Sequence, residues 1–98
     1  MSYNTQVGIT WAHSADKHDV DHEDALHAIA NAVHVEIAFV DPRPPSTVAP
    51  TVYVGPPRQS GGPLLEVLVE ERPPRELRIF HVMQARPKIL ARMTREQR

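Results

Sequence analysis

Cysteine is absent from the 98 residues. No disulfide framework and no thiolate zinc site can form, and a reducing cytoplasm is the expected compartment. Aromatic side chains are scarce (Trp11, Tyr3, Tyr53, Phe39 and Phe80), so the core must be built from Val, Ile, Leu and Ala. They do not interleave with cations as a single-strand stacking platform requires. Glycine is equally sparse. Gly61-Gly62 is not followed by Lys-Ser or Lys-Thr and precedes a strand pattern, which excludes a phosphate-cradling loop. No apolar run approaches the roughly 20 residues that span a bilayer, and Met1-Ser2-Tyr3-Asn4 lacks the basic and apolar parts of a signal peptide. A cytoplasmic protein without membrane contact is expected.

Proline, by contrast, is abundant, at ten residues. Each one removes a backbone donor, which implies several rigid connections. Hydrophobic residues make up 41% and charged residues 23%, a globular balance, and the length suits one domain over 1–98. Net charge is −1 but unevenly spread. Residues 1–36 carry Asp16, Asp19, Asp21, Glu23, Asp24 and Glu36 against Lys17 alone, a net of −5. Residues 72–98 carry eight cations against Glu76 and Glu96, a net of +6. Either the basic half meets an anionic partner or the two halves neutralise each other in the fold.

Val7, Ile9 and Trp11 alternate as a short strand, and residues 12–18 have helical composition over about two turns. Asp21 is a good N-cap, with Glu23 and Asp24 in the first turn. Ala25, Ala28, Ile29, Ala32 and Val33 then form an apolar stripe, predicting a helix over about 21–34. Alternation of Val35, Ile37 and Phe39 predicts a strand, and prolines make 41–50 a loop. Residues 51–54 form a further strand; 65–70 and 77–82 read as a hairpin. A basic amphipathic helix starts near Pro87, in a tail (86–98) that is expected to be partly flexible. This order predicts an α+β domain: a small antiparallel sheet of four to five strands, two N-terminal helices on one face and a short C-terminal helix.

Local patterns add a resemblance. Ile9-Thr10-Trp11, Ala15-Asp16-Lys17-His18-Asp19-Val20, Asp21-His22-Glu23-Asp24-Ala25 and Leu77-Arg78-Ile79-Phe80-His81-Val82-Met83 follow one another as corresponding segments do in the BrnT-type toxins. The chain resembles that family, small ribonucleases of bacterial toxin–antitoxin pairs with a RelE-like fold. It departs from it at Asp19, where the family has Gly in Lys-His-Gly-Val, and at His81 and Met83. The resemblance implies metal-independent RNA cleavage that inhibits translation and needs no cofactor, with an antitoxin and RNA as partners. The ribose 2′-hydroxyl attacks the adjacent phosphate, a general base takes its proton and cations stabilise the phosphorane.

His81, Arg86, His18 and Lys17 are the candidate catalytic residues on that view, with Arg78, Lys88, Arg43 and Arg58 holding substrate. Arg78 and His81 lie three apart on a strand and face opposite sides unless a bulge intervenes. Structural explanations compete with each assignment. His81 suits a half-buried sheet position, Arg78 a cross-strand partner of Glu66 or Glu70, Lys17-His18 a helix cap, and Arg86 and Lys88 a solvated basic end. None of the six histidines has specific metal-ligand spacing. Two other functions fit the composition. One is a non-catalytic protein-interaction module, homodimeric or in a hetero-complex, using an apolar surface on strand 51–54 or the tail helix. The other is nucleic-acid binding without cleavage, resting on the basic tail alone.

Overall fold

A computed structural model describes residues 8–42 and 44–96, the side chains of 95 and 96 excepted. The elements are β1 (Gly8–Trp11), a single 3-10 turn (His13–Asp16), α1 (His22–Ala30), β2 (His34–Glu36), β3 (Thr51–Gly55), β4 (Leu65–Arg72), β5 (Glu76–Gln84) and α2 (Pro87–Glu96). The five strands form one sheet in the order β1-β5-β4-β3-β2. β2, β3, β4 and β5 pair antiparallel, whereas β1 lies parallel to β5, with Gly8 opposite Glu76 and Trp11 opposite Ile79.

Two expectations are thereby corrected. The sheet is mixed, not antiparallel, because the first strand adds to the last; alternation marks a strand but carries no information on its partner's direction. The described chain also has one N-terminal helix, not two. Residues 12–18 hold a single 3-10 turn over His13–Asp16, with tight bonds from Ala15 N to Ala12 O, Lys17 N to Ser14 O and Asp19 N to Asp16 O. Asp19, at φ 58°, then turns the chain before a longer helix can propagate. The acidic residue adopts the left-handed conformation that Gly and Asp tolerate best.

α1 starts where its cap dictates, the Asp21 carboxylate accepting from the Glu23 amide at 2.8 Å. It stops at Ala30, four residues early, where Asn31 folds its side chain onto the His27 carbonyl at 2.9 Å. Ala25 and Ala28 face Leu65, Val67, Val69, Ile79 and Val82 on one side of the sheet. The small alanines let the backbones approach closely. A Cβ on Gly55 of β3 would lie 2.1 Å from the Ala28 carbonyl oxygen, so only glycine fits there.

α2 covers the opposite face, where Ile89 packs on Val52, Val54, Leu68 and Phe80. Its Arg92 forks onto Glu36 of β2 and sits 5.0 Å from the Phe39 ring centroid. The helices therefore flank the sheet. β2 is an edge strand, and β3 (the 51–54 segment) lies between β2 and β4 rather than at the edge. Val33, Val35, Ile37 and Val40 around β2 are exposed by 55, 48, 78 and 43%, so of the alternating residues Val35, Ile37 and Phe39 only Phe39 packs against the core.

Candidate functional site

β4 reads Leu-Glu-Val-Leu-Val-Glu-Glu-Arg and is buried over its first six residues, two carboxylates included. Val67 and Val69 point toward α1, which leaves Glu66, Leu68 and Glu70 on the α2 face. An isolated carboxylate cannot be desolvated cheaply, so each must bring its cations with it.

Glu66 is fully buried and does so completely. Its Oε1 accepts from the Arg86 backbone amide at 2.9 Å and from Arg86 Nε at 3.1 Å. Its Oε2 accepts from Arg86 Nη2 at 2.6 Å and from His81 Nε2 at 2.8 Å. Burial pushes the Glu66 carboxyl up, but the bonds from His81 and Arg86 outweigh it and hold it at about 2. The same fork holds the Arg86 guanidinium above its ordinary value, against the opposing effect of its own burial.

A carboxylate only accepts, so His81 Nε2 carries the hydrogen of that bond, and in the neutral ring Nδ1 is then the acceptor. The ring of His18, delivered by the loop after the 3-10 turn, meets His81 edge-on with centroids 5.8 Å apart. His81, Arg86 and His18 thus assemble around a carboxylate that the residue-type reasoning had passed over. Glu66 had a signal in the sequence: it interrupts an otherwise apolar run from Leu64 to Val69.

A bulge intervenes between Arg78 and His81. Leu68 pairs with His81 and Val69 with Ile79, so Phe80 is the extra residue on β5. Skipping one residue turns Arg78 and His81 onto the same face. Arg78 Nη1 reaches Glu70 at 3.5 Å, and Arg72 Nη2 reaches the same Glu70 oxygen at 2.8 Å. Next to them is a cavity of about 440 Å³ between β5, the 3-10 turn and loop residues 44–46.

Among the described residues, the remaining candidates make no hydrogen bond or ion pair with Glu66 or His81. Lys17 is exposed at the end of the 3-10 turn, and Lys88 is exposed on the first turn of α2. Arg58 staples the start of α1, with its amide and Nε both donating to Asp24 at 3.0 and 2.8 Å. Those bonds hold the Asp24 carboxyl below its usual range, against a smaller contrary effect of burial. Arg43 lies outside the described residues. Among the described residues no three His, Cys, Asp or Glu side chains group to hold a metal ion, and no helix is long and apolar enough to cross a membrane.

One more ring pair lies at the start of α1. Trp11 and His22 stack with centroids 3.6 Å apart and planes 1° from parallel, and Asp16 Oδ1 meets His22 Nε2 at 2.6 Å. This ties the 3-10 turn to the start of α1 and so fixes the loop that carries His18. No protein-family model, no curated protein and no solved structure matches this chain.

Proposed function

We propose that this protein is a metal-independent endoribonuclease of the toxin type, acting in the cytoplasm and restrained by an antitoxin partner. The observation that carries the reading is the His81 imidazole held by a buried carboxylate, with a second imidazole edge-on beside it. Cleavage of RNA without a metal needs one group to take a proton and another to give one. His81 Nδ1, its tautomer set by Glu66, removes the proton of the ribose 2′-hydroxyl. The 2′-oxygen bonds to phosphorus, the bond from phosphorus to the 5′-oxygen breaks, and His18 supplies the proton that the leaving oxygen takes. Arg86 is a positioning residue here: its fork is spent on Glu66, and it keeps that carboxylate ionised beside His81. The left-handed Asp19 also supports the family resemblance, since it does the conformational work of the glycine it replaces.

The products distinguish this chemistry from hydrolysis. Purified protein incubated with RNA in a chelator is expected to leave 2′,3′-cyclic phosphate and 5′-hydroxyl ends. His81→Asn and His18→Asn each are expected to lower the rate at least 100-fold with an unchanged circular dichroism spectrum. Intact RNA under these conditions, together with normal growth of cells expressing the chain alone, refutes the reading.

A second reading, a non-catalytic interaction module that dimerises or joins a hetero-complex, is favoured by the apolar surface along β2. Val33, Val35, Ile37 and Val40 flank an edge whose outer side is unpaired within the described sheet. Light scattering decides it. A strict monomer at 100-fold varied concentration, with no co-purifying protein, removes it.

A further inference from the structure

The cavity beside β5 contains a charge imbalance that the acid–base site does not use. Arg72 and Arg78 both approach one oxygen of Glu70, and among the described residues no other partner engages either guanidinium. Glu70 is 5% exposed at its side chain, whereas Arg72 and Arg78 are 40 and 36% exposed. One buried negative charge therefore anchors two half-open positive ones. The site keeps a surplus of one positive charge, with guanidinium donors left over at the cavity wall.

The walls set what fits. Phe80 and the rings of Pro44 and Pro45 are apolar, and Ser14 also lines the cavity, its hydroxyl hydrogen committed to the Phe80 carbonyl at 2.6 Å. A volume of about 440 Å³ exceeds that of a bare phosphate and admits a nucleoside attached to one. A phosphodiester carries a single negative charge, which matches the surplus, and its two free oxygens suit guanidinium donors. Because of the bulge at Phe80, the cavity opens on the same face of β5 as His81. Two to three residues of strand separate Arg78 from His81, roughly 7–10 Å, the scale of one nucleotide step along a strand.

We propose that the Arg72–Arg78 cavity is a subsite for a neighbouring phosphodiester of a single-stranded RNA, setting which linkage lies against His81. This assignment rests on the ribonuclease reading for its substrate but not for its test. The probe is an all-deoxy oligonucleotide of 12 residues, which lacks the 2′-hydroxyl and cannot be cut. Fluorescence anisotropy at 50 mM salt is expected to detect its binding by the intact chain. Arg78→Gln is expected to weaken binding about tenfold and to lower the salt slope by about one. Arg75→Gln removes the same charge at the β4–β5 turn, outside the cavity, and is expected to change affinity less than twofold. Equal losses in the two variants, no loss in Arg78→Gln, or no binding by the intact chain overturns the subsite. Full displacement by 10 mM inorganic phosphate also overturns it, since a free-anion site would behave so. If Arg78→Gln alone weakens binding while RNA stays uncut, the subsite stands and the ribonuclease reading falls.

Discussion

Glu66→Gln probes the electrostatic centre of the sheet, because it keeps the side chain's shape while removing the charge and turning one of the two accepting oxygens into an amide nitrogen that cannot accept. In the folded chain the carboxyl is held at about 2, against an ordinary 4.5. A difference of that size corresponds to about 3 kcal/mol of stability at neutral pH. The sign follows from proton uptake. The unfolded chain binds the proton first on acidification, so the contribution is complete above the unfolded value and is lost as pH falls from about 4.5 toward 2. By pH 3 about 2 kcal/mol of it is gone. The Gln variant leaves the Arg86 fork facing an uncharged amide and is expected to be about 3–5 kcal/mol less stable at pH 7. Urea unfolding followed by circular dichroism at pH 7, 5, 4 and 3 measures both curves. Acid weakens both proteins through Asp24 and Glu36, whose carboxyls are also held low, so the informative quantity is the gap between them. That gap is expected to narrow by about 2 kcal/mol from pH 7 to pH 3. Parallel curves, or equal stability at pH 7, refute the assignment of Glu66 as a buried charged anchor.

Gly55→Ala drives a methyl group into the Ala28 carbonyl, 2.1 Å from its ideal position, and is expected to cost about 3 kcal/mol as α1 lifts from β3. A fall in Tm of several degrees or more checks it. Ala38, at φ 54° in the turn after β2, occupies a conformation glycine adopts freely, so Ala38→Gly is expected to raise stability by about 1 kcal/mol in urea titrations. Asp21→Ala removes the α1 cap bond and is expected to destabilise by about 1 kcal/mol, rescued by Asp21→Ser.

The local elements were legible wherever a periodic pattern coincided with a physical boundary. Asp21 marked the start of α1, and the alternation on either side of Arg72-Pro73-Pro74-Arg75 marked the β4–β5 hairpin. Legibility ended where the outcome depended on partners distant in the chain. Ala32, Val33, Val35 and Ile37 carry apolar patterns of the right period, but Asn31 ends the helix before them and β2 falls at the sheet's rim. The direction of β1 depended on where β5 runs, about which its own residues say nothing. The site followed the same rule. Histidine and arginine types pointed to His81, Arg86 and His18, because few residue types suit that chemistry. The carboxylate that joins two of them was hidden, since alternation alone assigns Glu66 no face until the covering helix is known. A single bulged residue, Phe80, then decided that Arg78 and His81 share a side.

The parallel seam between β1 and β5 also constrains how the chain is made. Thr10 hydrogen-bonds Glu76, the residue opposite Gly8 across the seam, from 66 positions away. At translation rates of 5–20 residues per second, β1 waits roughly 3–13 s before β5 exists to receive it. During that interval Ile9 and Trp11 have no sheet to join, and the ring stack of Trp11 on His22 is the nearest native contact available to the nascent segment. The loop carrying His18 is thus braced early, while the surface it faces is completed late. A ribosome-bound chain lacking β5 would hold the His18 ring but neither His81, which it meets edge-on, nor the Arg86 fork that pairs with Glu66.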